Sequence, residues 1–222
     1  MDQEKNNEPL SGAIKIGQEE HINELQKEGH LFCNTLKYFR EVEKKDFNRH
    51  DGREGAFKTE VIENPEDYKL SIDGEEVPIT LTFLRFNEFD SAEEYYKLFC
   101  LFGVKRKHVT GEPFLDEKIL KFGEKALIII DLQEFMDRVK ERLNELDLEF
   151  EFGHVKYYEE NGVNENLTPF HKPDEFQHQE EFRLLIKEDS ETPFSFKIGS
   201  IEDISTVVEA NRLTELRLNK AT

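Results

Sequence analysis

The chain contains no tryptophan, only two cysteines and no long apolar run. Its apolar stretch Ala126–Ile130 is far shorter than the ~20 residues that a membrane-spanning helix needs, so we expect no transmembrane segment. The opening residues, 1–12, have no apolar stretch of the kind found in secretory signals. Cys33 and Cys100 are too few for a disulfide framework or a zinc site. These absences together predict a cytoplasmic protein.

Positive charge is also scarce. The 222 residues include 30 Lys and Arg against 49 Asp and Glu, which gives a formal net charge of −19. A charge of this size repels nucleic-acid phosphates and anionic lipid, so we expect neither direct nucleic-acid binding nor membrane association. A soluble acidic surface explains the excess of acid, and the alternative is an acidic surface that receives a basic protein partner.

Aromatic residues are plentiful, since 19 Phe and 6 Tyr can support a hydrophobic core. The apolar run Ala126–Ile130 predicts a central buried strand. Asp131 then predicts the start of a helix over Leu132–Leu146, whose apolar residues recur at helical spacing. With β-rich patterning elsewhere, the sequence predicts a single α+β domain over residues 13–222. We expect mixed or antiparallel sheets with packed helices, preceded by a flexible N-terminal tail over residues 1–12.

Recognised metal and nucleotide motifs are missing. The seven histidines occur without a paired ligand spacing, and the chain has neither a Walker loop nor a GxGxxG segment. Neither cysteine lies in a motif that would lower its pKa. We therefore expect no metal site and no thiol nucleophile.

Two polar clusters remain as candidate sites. The first is Arg49–Gly55, in which two arginines in a loop with glycines could hold a phosphate or a carboxylate. Alternatively, Asp51 and Glu54 pair with these arginines internally. The second cluster is Gln179–Arg183, which follows the long polar stretch 159–175 and begins an apolar strand.

Glu181 is the strongest single candidate in the second cluster. A glutamate on a strand with an apolar face is held in place, as a catalytic carboxylate must be. We expect Glu181 to line a concave site with an arginine from residues 49–53. The alternative is an edge strand on which Glu181 and Arg183 are solvated or paired. We also expect Glu181→Gln to leave the fold intact.

Three segments resemble a known family. Gln18–Gly29, after a first strand, resembles the start of DarT-type DNA ADP-ribosyltransferases and of abortive-infection proteins of the AbiGi kind. Asp51–Gly55 is similar to their Asp-x-x-Glu-Gly loop, and Glu181–Arg183 to their late Glu-Phe-Arg strand. Gln179-Glu180-Glu181 resembles the Gln-x-Glu or Glu-x-Glu that ADP-ribosyltransferases place before a hydrophobic strand. The resemblance covers the first 55 residues and about 20 near residue 180.

The resemblance implies a split-sheet core, NAD as a substrate and a setting in bacterial or phage conflict, with the protein active or catalytically degenerate. It implies that Glu181 is the catalytic carboxylate and that Gln179 orients the acceptor. The residues that it implies for NAD binding are Lys15, Arg49, Arg53 and Arg183. The alternative function is that of a non-catalytic acidic protein that binds and inhibits, or senses, another protein.

Overall fold

The computed structural model describes residues 10–42, 51–66, 68–77 and 79–219. Three α-helices lie in this part of the chain: α1 (Glu19–Glu28), α2 (Leu36–Val42) and α3 (Leu132–Glu145). Short 3₁₀ helices occupy Arg106–His108, Glu117–Phe122, Asp174–Gln179 and Ala210–Glu215.

The strands are named in chain order. They are β1 (Leu10–Gly17), β2 (His30–Thr35), β3 (Ala56–Glu63), β4 (Ser71–Ile72), β5 (Glu75–Glu76), β6 (Phe83–Phe89), β7 (Lys97–Lys105), β8 (Lys125–Ile129), β9 (Phe150–His154), β10 (Lys156–Tyr158), β11 (Val163–Glu165), β12 (His171–Pro173), β13 (Glu181–Ile186), β14 (Phe194–Lys197) and β15 (Ser205–Glu209).

The main sheet has eight strands and is antiparallel throughout. Its principal path runs β14-β2-β7-β1-β8-β15, and β13 joins β7 to β9. Helices α1 and α3 contribute apolar residues to a core shared with this sheet, and the 3₁₀ helix Glu117–Phe122 contributes to a second apolar cluster. The described residues therefore form the single α+β domain that the sequence predicts, with mainly antiparallel sheets.

The main sheet splits along one edge of β7, because two different strands pair with that edge. Lys97 and Leu98 pair with β2 on one edge and with β13 on the other. Phe102 pairs with β1 on one edge and again with β13 on the other. Strands β1 and β2 thus lie on the same side of β7, and they separate alongside Phe99–Leu101.

Helix α3 confirms the strongest prediction from sequence. It follows the buried strand β8, and Asp131 accepts a hydrogen bond of 3.0 Å from the Glu134 backbone N–H at its start. Leu132, Phe135, Val139 and Leu143 form its buried face. The apolar residues recur at helical spacing, and every residue of the buried face packs into the same core, which stabilises the helix.

Truncating Leu143 to alanine should lower the free energy of unfolding by about 2–5 kcal/mol. Its side chain is fully buried, so the change leaves a cavity beneath α3. Urea denaturation measures the effect. Leu146→Ala is the matched control, because Leu146 follows the same helix and is exposed; an equal loss in both variants contradicts the role of Leu143 in the core.

The N-terminal boundary corrects one prediction. Leu10, Ser11 and Gly12 belong to β1, whereas we expected the first 12 residues to form a flexible tail. Leu10 pairs with Lys105 and Gly12 with Val104 across the β1–β7 ladder. Leu10 also packs against the main core, which explains its ordered position. Residues 1–9 lie outside the described residues.

A smaller sheet of order β11-β3-β6 lies apart from the main one, and β4 and β5 form a hairpin. This hairpin turns at Asp73-Gly74, and both turn residues have positive φ, which the Asp-Gly pair tolerates in a two-residue turn. None of the helices in the described ranges is long and apolar enough to cross a membrane.

Candidate functional site

A cavity of about 490 Å³ opens where β1 and β2 separate. We call it the division cavity. Its lining comes from β1, α1, β2, α2 and β7, and charged residues of β13 and the segments before it complete the wall. The cavity exists because β7 has a strand neighbour on this edge at both of its ends but no paired residue from β1 or β2 at Phe99–Leu101.

Four charged side chains form a buried ion network in the wall of the cavity: Glu54, Lys172, Glu181 and Arg183. Arg183 donates to both carboxylate oxygens of Glu54, at 2.7 and 2.8 Å, and its Nε donates to Glu181 at 2.6 Å. Lys172 donates to the other oxygen of Glu181 at 2.7 Å. Each member is at most 8% exposed, so two carboxylates neutralise two cations away from water.

The backbone at Glu180 turns two neighbouring side chains toward the same cation. Glu180 has the left-handed conformation, with φ 42° and ψ 45°, between the 3₁₀ helix Asp174–Gln179 and β13. Gln179 and Glu181 both accept hydrogen bonds from Lys172, at 2.8 and 2.7 Å. The Glu180 side chain is directed elsewhere and pairs with Lys105 and Lys107.

The ion network favours the charged forms of Lys172, Glu181 and Arg183. Burial alone would raise the pKa of Glu181, but Arg183 and Lys172 outweigh it and hold that pKa well below its ordinary value. Burial alone would lower the pKa of Lys172 and of Arg183, but the neighbouring carboxylates, Glu181 foremost, hold both above their ordinary values. Glu181 is therefore an ionised carboxylate at neutral pH, and each of its oxygens retains a lone pair for a ligand donor.

Two neutral groups fix the position of this network. The Tyr157 hydroxyl accepts a hydrogen bond of 2.9 Å from the Glu181 backbone N–H, and burial raises the pKa of this tyrosine well above its ordinary value. The Pro169 carbonyl accepts a further hydrogen bond from Arg183. Pro169 and Lys172 both belong to the polar stretch 159–175, so this stretch contributes directly to the ion network.

Lys15 enters the division cavity from β1. Its ammonium group donates to the Cys100 carbonyl at 2.8 Å and lies 4.6 Å from the centre of the Phe99 ring. Both contacts are to the stretch of β7 that β1 and β2 leave unpaired. With Lys15 included, the cavity is lined by three cations, Lys15, Lys172 and Arg183, against the carboxylates Glu54 and Glu181, which favours an anionic or strongly polar ligand.

Aromatic and imidazole side chains also line the cavity. Phe32 and Tyr38 are exposed, as befits residues that a planar ligand group could reach from solvent. His21 and His30 lie along the same wall, and the His30 Nδ1 atom is 3.0 Å from a Glu24 carboxylate oxygen. The cavity thus combines rings with a charged wall, as small-molecule sites commonly do.

Burial disfavours the thiolate form of both cysteines. Burial raises the pKa of Cys33 to about 12 and that of Cys100 to about 12. Both thiols are protonated at neutral pH, although Cys100 lines the cavity. Among the described residues, no group of three or more His, Cys, Asp or Glu side chains could hold a metal ion.

Most of the candidate residues from sequence lie together. Lys15, Gln179, Glu181 and Arg183 all line the division cavity, although β1 and β13 are far apart in the chain. The expected partner for Glu181 was an arginine from residues 49–53, and the structure pairs it with Arg183 and Lys172 instead. The edge-strand alternative is wrong on position, because β13 lies between β7 and β9 and is buried throughout.

Arg53 is not in the cavity lining. Its backbone N–H and its Nε each donate to Asp51 at 3.0 Å, and its guanidinium also pairs with Glu160 and Glu175. It is only 7% exposed. For Arg53, the alternative of internal pairing within the loop is therefore the one observed. Its donors are directed at three carboxylates. Arg49 lies outside the described residues.

Sequence analysis missed Glu54 and Lys172 as site residues. Glu54 was considered only as a partner for the loop arginines, yet it binds Arg183 from 129 positions away. Lys172 stands in a polar stretch between two prolines and carries no motif. The one available signal was that Glu181 and Arg183 interrupt an apolar strand, since buried charges need partners.

Comparison of the chain with protein-family models, with curated proteins and with solved structures finds no match to any of the three. The case for a function therefore depends on the geometry of the site and on the resemblance of the short motifs.

Proposed function

We propose that the division cavity binds NAD and that the protein is ADP-ribosyltransferase-like. The observation that supports this proposal best is that Lys15 of β1 and three residues of the later cluster, Gln179, Glu181 and Arg183, line one cavity. Its volume of about 490 Å³ falls within the ~300–1,000 Å³ usual for small-molecule sites. The motif resemblance is the reason for choosing NAD among anionic ligands and for a setting in bacterial or phage conflict.

Glu181 would stabilise the reacting sugar in this proposal. The bond between the ribose C1′ and the nicotinamide nitrogen breaks, and its electron pair leaves with nicotinamide. Positive charge then develops on the ribose, much as in glycoside hydrolysis, and a preorganised carboxylate stabilises it. A nucleophilic group of the acceptor forms the new bond to C1′ and releases its proton to solvent, while Gln179 orients that acceptor.

In this proposal Lys15 binds the pyrophosphate of NAD, a role for which the sequence resemblance implied several cations. A pyrophosphate needs a cation within reach, and Arg53 is surrounded by three carboxylates. Lys15 lies in the cavity and is held by a backbone carbonyl and an aromatic ring. A lysine ammonium is a compact point charge with N–H donors, which suits it to binding a phosphate oxygen.

Replacing Lys15 with methionine should weaken NAD binding by about 10- to 100-fold, which is the usual effect of losing one charge-assisted hydrogen bond. Isothermal titration calorimetry with NAD measures the change. Lys140→Met is the matched control, because Lys140 lies on the outer side of α3 and pairs with Asp137. Equal affinities in the wild-type, Lys15→Met and Lys140→Met proteins would remove Lys15 from the binding site, and no binding by the wild-type protein would contradict the proposal itself.

A further inference from the structure

Exposed apolar side chains are concentrated on the smaller sheet and the hairpin beside it. Eight of the twelve exposed large apolar residues among the described ones lie in these strands or in the segments that flank the hairpin, which together we call this unit. They are Phe57, Tyr68, Leu70, Ile72, Ile79, Phe83, Phe86 and Val163. Single exposed apolar residues are ordinary, but a concentration of this kind marks an interaction surface.

Several of these side chains share one face. Phe86 of β6 and Val163 of β11 both pair with Glu60 of β3, so the three residues form one row across the sheet. The centre of the Tyr68 ring lies 6.4 Å from the centre of the Phe86 ring, so these two aromatic side chains are neighbours. Phe86 and Val163 thus share one face with the acidic Glu60 between them, and Tyr68 lies against Phe86 on that face.

Strand β6 also presents a free edge. It is seven residues long and pairs with β3 alone among the described strands. The backbone N–H and C=O groups along the other edge of β6 have no strand partner there. Such an edge is a ready template for an added strand, and proteins use this mode to bind extended peptides.

The charge of this unit defines the chemistry of its occupant. Residues 56–90 contain nine Asp and Glu against three Lys and Arg. Lys58, a basic residue of β3, is already flanked by Glu88 and Glu165, at 3.3 and 3.6 Å. A second copy of the chain would bring the same excess of acid to the same edge and repel it, so the complementary occupant is basic.

We propose that the free edge of β6 binds an extended basic segment of another protein, which adds a strand to the β11-β3-β6 sheet. Apolar side chains of that segment cover Phe86 and Tyr68, and its Lys or Arg residues face the acidic side chains around them. The proposal is independent of the division cavity. It also supplies a defined surface for the alternative function, which is that of an acidic protein that binds another protein.

A peptide in which Lys and Val alternate, about as long as β6, is the probe. We expect it to bind the full chain at low salt, to lose affinity as salt rises, and to slow hydrogen exchange of the β6 amides. Phe86→Asn should weaken binding about tenfold or more, as loss of a central aromatic anchor does. Leu146→Asn, at an exposed apolar residue away from this sheet, should leave binding unchanged.

Each other outcome overturns the proposal. Equal binding of a Glu-Val peptide would show that charge does not select the occupant. Binding without slower exchange in β6 would place the peptide elsewhere on the acidic surface, as would equal losses in the Phe86→Asn and Leu146→Asn variants. Self-association of the free chain through β6 would make a second copy the occupant, and absence of any binding would reject the edge as a docking site.

Discussion

Replacing Arg183 with methionine should lower the free energy of unfolding by about 3–5 kcal/mol, which is the usual cost of removing one partner from a buried ion pair. Arg183 supplies both hydrogen bonds to Glu54 and one to Glu181. Without it, two buried carboxylates retain only Lys172 as a compensating cation. Urea denaturation monitored by circular dichroism measures the loss.

Arg138→Met is the matched control for this prediction. Arg138 also contacts two carboxylates, Glu134 and Asp203, but both of these carboxylates are exposed to solvent. Exposed pairs contribute about 1 kcal/mol or less, so this variant should remain close to the wild-type protein. Similar losses in the two variants would show that burial of the network does not determine its contribution.

The effect of Arg183→Met should depend on pH in one direction. Because the pKa of Glu181 is lowered in the folded protein, its pairing stabilises the fold fully above the ordinary value of about 4.5. This stabilisation is lost as the pH falls further, toward the lowered pKa of the folded state. The difference in stability between wild-type and Arg183→Met should thus be largest near neutral pH and shrink in acid. A difference that grows in acid would contradict the assigned charge of Glu181.

Replacing Glu181 with glutamine should reduce NAD-dependent labelling of the acceptor by about 10²–10³-fold, the range found when one electrostatic contact to a transition state is removed. Glutamine keeps the shape of the side chain but cannot balance positive charge on the ribose. Transfer of radiolabelled ADP-ribose, with bacterial lysate as the acceptor mixture, measures the rate. Undiminished labelling by Glu181→Gln would reject Glu181 as the catalytic carboxylate.

The structure changes the design of that experiment. From sequence alone we expected Glu181→Gln to leave the fold intact, but it leaves Lys172 and Arg183 with Glu54 as the one carboxylate of the network. We now expect this single variant to be destabilised. The double variant Glu181→Gln/Lys172→Met removes an ion pair as a unit, so it should recover stability while labelling stays lost. Recovery of labelling along with stability would show that Glu181 acts through the fold alone.

Local sequence patterns were sufficient to predict the elements whose structure depends on neighbouring residues. Helix α3 and strand β8 followed from an apolar run, a cap and a period of helical spacing. The sequence of β7 does not distinguish a buried strand from a junction between a helix and a strand, because nearly all of its consecutive residues are buried and apolar alternation is missing. The division of the sheet at Phe99–Leu101 depends on three partners at once, which no local pattern encodes.

The candidate site could likewise be predicted only as far as local sequence determines it. Glu181 and Arg183 are recognisable because charges that interrupt an apolar strand must find partners. The identity of those partners depends on long-range packing: Glu54 comes from a loop 129 positions earlier, and Lys172 from the segment that Pro169 anchors. The arginine that sequence favoured, Arg53, is surrounded instead by Asp51, Glu160 and Glu175.

The most direct test of NAD binding in the division cavity is a titration of the ¹⁵N-labelled protein with NAD, followed by amide chemical shifts. We expect the largest shifts at Lys15, Phe99–Leu101 and Gln179–Arg183, with much smaller shifts in the Lys15→Met variant. Shifts confined to other surfaces, or no shifts at NAD concentrations that saturate ordinary nucleotide sites, would contradict the assignment of this cavity as a nucleotide site.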